Sequence, residues 1–220
     1  MSGEQAFQSA TERQEFRLGE VRREFGDAHP QTLTAMLDLA EALWAQGRLI
    51  AARGLEEEVV AGRRKLLGQD HADTLKAIGK LAVTMAAQGE LAEARRLQEQ
   101  VVAGMRAQRG ESGGETGRDT LRAINNLAGT VAAEGDLAAA RELLQSVISA
   151  LTREHGELHP DTLAAMGNLA AILWQEGDQG EAYELQRQVV ELNRRVHGDD
   201  DRATLIAAAM LETMERDTGF

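Results

Sequence analysis

The stretch His159–Ala182, HPDTLAAMGNLAAILWQEGDQGEA, has a counterpart at His29–Ala52, HPQTLTAMLDLAEALWAQGRLIAA. Both copies hold His-Pro, Thr-Leu, Ala-Met, Leu-Ala, a tryptophan, a glycine and a final alanine at the same offsets. Working outward, Thr-Leu pairs recur at Thr32, Thr74, Thr120, Thr162 and Thr204, in steps of 42, 46, 42 and 42. Gly47, Gly89, Gly135, Gly177 and Gly219 follow the same steps. Gly26, Gly68, Gly110, Gly156 and Gly198 step by 42, 42, 46 and 42. Together the series place one four-residue insertion in ESGGETGRD, 111–119. Three series in register define a repeat of two helices per unit.

In the first unit, Leu33, Met36, Ala40 and Leu43 fall on one helical face, which predicts a helix from about Thr32 to Gln46. Pro30 and Pro160 precede such helices, where a missing N–H costs nothing. Thr32 or Asp161 reads as a capping neighbour. Gly47 stops the first helix, and a second runs from Leu49 to Leu67 with Ala52, Leu55, Val59 and Leu66 facing inward. Alanines in register at 40, 82, 128 and 170, and at 52, 94, 140 and 182, allow close helix crossings. The reading is all-α: ten antiparallel helices in one domain, 1–220. It comprises a half repeat at 4–25, repeats at 29–68, 71–110, 117–156 and 159–198, and a half repeat at 202–216.

Composition agrees. The 220 residues carry 43% hydrophobic and 3% aromatic side chains, no cysteine and a net charge of -12. Without cysteine there is no disulfide scaffold, Cys-ligated zinc or thiol chemistry. The acidic balance weighs against nucleic-acid binding, which needs a cationic face. No apolar run is long enough to span a membrane, and MSGEQAFQSA has no secretory character, so a cytoplasmic location is expected.

The pattern HPxTL…NLA…(Q/E)G…EA resembles the tetratricopeptide repeat, and its 42-residue period resembles the kinesin light chain type. Units two and three depart from it, with Ala72 after His71 and Gly117-Arg118 in place of His-Pro. The resemblance implies an α-solenoid, a right-handed superhelix whose first helices line a concave groove. Carrying the family's groove positions onto this chain gives Thr34 and Asp38, Lys76 and Lys80, Arg122 and Asn126, and Ala164 and Asn168. Asn125 is a polar neighbour, and Trp44 and Trp174 share one register position further along. Cations with amides suit carboxylates and an extended peptide backbone.

Nothing catalytic stands out. His29, His71 and His159 share one repeat position beside the helix start, which argues for packing or capping and not for ligation. His155 and His159 straddle the Gly156 break, so they form no zinc-protease helix. Asp199-Asp200-Asp201 lacks the spaced ligands of a calcium loop, and the glycines of 111–119 lack the Lys-Ser/Thr of a phosphate loop. No cofactor or metal is expected. The sequence therefore predicts a non-enzymatic scaffold that binds an extended, acidic peptide segment through Lys76, Lys80, Arg122, Asn125, Asn126, Asn168, Trp44 and Trp174. Two alternatives remain open: a homodimer through the apolar last helix at Ile206 and Met210, or a small-molecule regulator or enzyme using the groove as a pocket.

Overall fold

A computed structural model of the chain describes residues 10–109 and 117–218. Positions 4–9 of the first half repeat, 110–116 of the insertion region, and 219–220 lie outside the described residues. Ten α-helices and no strands occur among those described. The first five are α1 (Ala10–Phe25), α2 (Pro30–Ala45), α3 (Leu49–Leu67), α4 (Ala72–Ala87) and α5 (Leu91–Arg109). The other five are α6 (Arg118–Ala133), α7 (Leu137–His155), α8 (Pro160–Glu176), α9 (Gln179–His197) and α10 (Arg202–Thr218).

The chain divides into two compact units, Met1–Met105 and Arg106–Phe220. In the first, α1 packs on α2, α2 on α3 and α3 on α4. Leu75 of α4 lies against Gly104 of α5, where a β-carbon would come within 2.8 Å of a leucine methyl. In the second, α6 through α10 pack in succession, and α6 also touches α8.

Packing follows the repeat. Leu33, Met36, Ala40 and Leu43 are buried, and so are the alanines of both register series. At such crossings a small side chain lets two helix backbones approach. The inner face of α3 consists of Ala52, Glu56, Val59 and Val60. Leu66, assigned to that face from the periodicity, is instead 47% exposed. Gly62 already faces Leu33 near the start of α2, so Leu66, one turn further, passes beyond the helix that would cover it.

Capping falls to the histidines at their shared position. The N-caps of α2, α4 and α8 are His29, His71 and His159, not Thr32 or Asp161. Each Nδ1 accepts a backbone N–H two residues on, at 3.3, 3.1 and 3.2 Å. Asp201 holds this position for α10, its Oδ1 accepting from the Ala203 N–H at 2.8 Å. The threonines act elsewhere. Thr32, Thr74 and Thr162 are buried, and each hydroxyl donates to the carbonyl of the glycine six residues earlier, Gly26, Gly68 or Gly156, at 2.7–3.0 Å. Gly68 has φ +92°, a conformation that strains any residue with a β-carbon. The bond therefore ties the starts of α2, α4 and α8 to the left-handed turn ending the helix before each, whereas the equivalent Thr204 hydroxyl of α10 is buried without a partner.

A second register position is polar where the period demands burial. Glu56, Gln98 and Gln186 are all at most 3% exposed, and Leu144 occupies the same place in the third repeat. Gln186 Nε2 donates to the Ala207 carbonyl of α10 at 2.7 Å. Glu56 has no such donor when ionised, and its Oε2 is buried without a partner. Burial pushes the Glu56 carboxyl above its usual range, while the nearby Thr84 hydroxyl and Lys80 charge pull the other way.

These contacts set the stability of two variants. Thr74→Val removes a buried hydrogen bond and leaves the Gly68 carbonyl unpaired, at a cost of about 1–3 kcal/mol by urea denaturation. Glu56→Gln raises stability at pH 7. The folded pKa of Glu56 is raised, so the native state loses stability as pH climbs through it. A gain of about 1 kcal/mol corresponds to a melting temperature roughly 2–4 °C higher. The gap should close below about pH 4.3, where the carboxyl is protonated in both states.

Candidate peptide-binding face

Each first helix buries the Leu-Ala side of its pattern and turns the intervening residues outward. In the first unit this exposes Lys76 and Lys80 on α4. Lys80 Nζ lies 3.0 Å from Glu41 Oε2 on α2. Asp38, on α2, pairs with Arg17 of α1 at 3.0 Å. Trp44, near the end of α2, is 42% exposed, so the indole is not a core residue.

In the second unit, Arg122 and Asn126 of α6 and Ala164 and Asn168 of α8 are exposed, and Asn125 is half-buried. Asn168 Nδ2 donates to Asn125 Oδ1 at 3.1 Å, bridging the first helices of two repeats. Arg122 Nε stands 3.5 Å from Asp161 Oδ1 at the start of α8. The other oxygen of Asp161 takes the Nε of Arg118. Two guanidinium groups thus share one carboxylate, itself only 14% exposed. Trp174 is half-buried near the end of α8. Arg118 and Asp161 fall outside the binding residues expected from sequence, although Arg118 stands where Pro30 and Pro160 stand in the best copies. That departure is the available signal.

The remaining candidates fall on α10. Ile206 is 61% exposed and Met210 half-buried. By the repeat steps, Ile206 occupies the position of Thr34, Lys76, Arg122 and Ala164, and Met210 that of Asp38, Lys80, Asn126 and Asn168. The residues assigned to self-association therefore share the register of those assigned to the groove.

The largest arginine clusters lie on second helices instead. Arg53 of α3 bonds Glu57, Gln88 and Glu90. Arg141 of α7 reaches Glu176 at 3.0 Å and Asp178 at 3.2 Å. Each runs from a second helix to the turn of the next repeat, 35 and 37 residues on, so these arginines serve as staples between repeats. No group of three His, Asp or Glu placed to hold a metal occurs among the described residues. The His155 and His159 rings lie 4.8 Å apart, and His159 Nδ1 is committed to its cap. No helix among the described residues is long and apolar enough to cross a membrane.

Paired helices that repeat every 42 residues and bury the same register positions define a helical repeat protein of the α-solenoid class. Tetratricopeptide repeat family models match residues 32–73, 74–107 and 119–195. The chain belongs to the tetratricopeptide repeat family, and its repeats are of the kinesin light chain type. It is 30% identical to a point variant of a putative kinesin light chain with nearly identical TPR-like repeats from Podosopora anserina. That match covers 84% of this chain and 85% of the other, with a TM-score of 0.65. BtubC (BKLC) from P. vanneervenii shares the fold at 18% identity and TM-score 0.72, over 96% of this chain and 85% of its own. PlcR of Bacillus thuringiensis, solved with the peptide PapR7 and DNA, shares it at 13% identity and TM-score 0.64, over 93% and 69%. No curated protein matches the chain.

The cap at His159 gives a pH prediction. Burial pushes this imidazole below its usual value, with Arg118 and His155 adding to the push and Asp161 opposing it. The native state therefore binds fewer protons than the unfolded chain, so stability is full above about pH 6.5 and falls as pH drops below it. Protonation also removes the lone pair that caps α8. His159→Asn keeps an acceptor there without titrating. Its urea midpoint should fall less than that of the parent chain between pH 7.5 and 5, with a difference of about 1 kcal/mol.

Proposed function

We propose that this chain is a non-enzymatic protein-interaction module that binds extended peptide, acidic in character, on the exposed first-helix face of each of its two units. The observation that carries the reading is the pair Arg118 and Arg122 converging on the single carboxylate of Asp161. It leaves a local positive excess on a chain of net charge -12. The pairs at this face have exposed cations, and exposed pairs contribute only about 0–1 kcal/mol each. A ligand carboxylate can therefore replace Glu41 at small cost, or join Arg118 and Arg122 from their exposed side while Asp161 stays in place. The exposed amides Asn126 and Asn168 suit main-chain groups of an extended segment, and Trp44 offers an aromatic surface. PlcR, which shares the fold, is itself a peptide-bound protein.

A second reading, self-association, draws on the exposure of Ile206. A mass that doubles with concentration in light scattering would support it.

The test uses a fluorescein-labelled, aspartate-rich nonapeptide and the triple variant Lys76→Glu, Lys80→Glu, Arg122→Glu. Affinity should fall at least about tenfold while the helical circular dichroism is retained. Raising salt from about 50 to about 300 mM should weaken binding to the parent chain, since exposed charges are screened. Unchanged affinity in the triple variant would remove the face from consideration.

A further inference from the structure

Within the second unit, the exposed register position changes character from one first helix to the next. On α6 it is Arg122, 63% exposed at the side chain. On α8 it is the small Ala164, and on α10 it is Ile206. The apolar surface of α10 is not needed for its packing. That helix is seated by Ala207, Ala208 and Leu211, which join Leu163 and Met166 of α8 and Val189 and Val190 of α9 in one cluster. Ile206 stands outside that cluster. An isoleucine left 61% exposed at a position that is threonine, lysine, arginine or alanine in the other repeats contributes nothing visible to the fold.

The face is continuous across these helices. The Asn168–Asn125 bond and the shared Asp161 join α8 to α6, and the apolar cluster joins α10 to α8. Resting on the interaction reading above, we propose that the second unit recognises one extended peptide by two separated features: a carboxylate at Arg118 and Arg122, and an aliphatic side chain at Ile206 and Met210. Charge complementarity selects this occupant. The cationic end holds Arg118 and Arg122 on Asp161, and on α10 the aliphatic Ile206 and Met210 follow the exposed Arg202 at successive turns, so no acidic group of the register position opposes an acidic segment there.

The spacing is set by the fold. Arg122 and Ile206 are two first helices apart; α6 only touches α8, and α8 and α10 meet through the apolar cluster, so each step is at the wide end of helix packing, about 10 Å. The span is roughly 20 Å. An extended chain advances about 3.3–3.6 Å per residue, so the acidic and aliphatic residues of the partner lie about five or six positions apart.

The experiment measures anisotropy with fluorescein-labelled Ser/Thr/Gly peptides carrying one Asp-Asp pair and one leucine, separated by one to eight residues. Parallel peptides have the leucine replaced by serine. The leucine should tighten binding at least about fivefold near a spacing of five or six and have little effect at one or two. Ile206→Gln keeps helix propensity at an exposed site. It should erase that gain and leave the serine peptides bound as before, whereas Arg122→Gln should erase the dependence on Asp-Asp. If the leucine brings no gain at any spacing, or the gain survives Ile206→Gln, this inference falls while acidic-peptide binding stands. If no Asp-Asp peptide binds the parent chain, the interaction reading itself fails. A parent chain that sediments as a dimer, made monomeric by Ile206→Gln, assigns the aliphatic surface to a second copy and overturns the proposal.

Discussion

The hydrogen bond from a buried threonine to the carbonyl of a left-handed glycine six residues earlier holds the repeat together. A glycine such as Gly68 ends one helix by adopting a φ that other residues avoid. Its carbonyl would be stranded at the helix junction without a donor. The threonine supplies that donor and, in the same turn, sends the adjacent leucine into the core. One contact thus fixes the end of one helix, the start of the next and the rotation of the new helix about its axis. The rotation decides which residues face outward, so the positions of Lys80 and Asn168 depend on it.

The period is legible because it is written in residues whose backbone demands are strict. Glycines that must adopt positive φ and a threonine-leucine pair buried in the first four units leave little room for substitution, and their spacing yields the ten helices and their order. The departures are local. Threonine is a common N-cap and Thr32 reads as a capping neighbour, while the histidine position reads as packing or capping; in the structure His29 caps the helix and the threonine faces back into the junction. Both arrangements put a polar side chain near a helix start, and sequence alone does not separate them. Leu66 is misplaced by its pattern because periodicity records angle around a helix but not where the neighbouring helix ends.

The exposed face is legible as a set of positions and not as a set of contacts. Lys80, Arg122 and Asn168 are exposed on first helices, as their register requires. Their partners Glu41, Asp161 and Asn125 lie 39 to 43 residues away, about one repeat. The repeat length therefore predicts which residues become neighbours, but not whether a lysine meets a glutamate or bulk water. Arg118 shows the converse. It breaks the His-Pro pattern and adds a second guanidinium at Asp161. In a repeat array, a departure from the consensus marks a place where packing has been traded for something specific to that unit.

The internal pairing of this face does not argue against a ligand there. Fully exposed cations on a chain of charge -12 would be attracted to any acidic neighbour, including other copies. Pairing them with Glu41 or Asp161 holds them in place and lowers that attraction. Both partners of the Lys80–Glu41 pair are solvated, so that pair contributes little to folding, and at Asp161 the two guanidinium groups stay exposed on the side away from the carboxylate. A partner that supplies its own carboxylate repeats a contact the protein already makes, and it must add a second contact to compete. Apolar surface in the same register on α10 provides a place for that second contact, which a lone acidic side chain would lack.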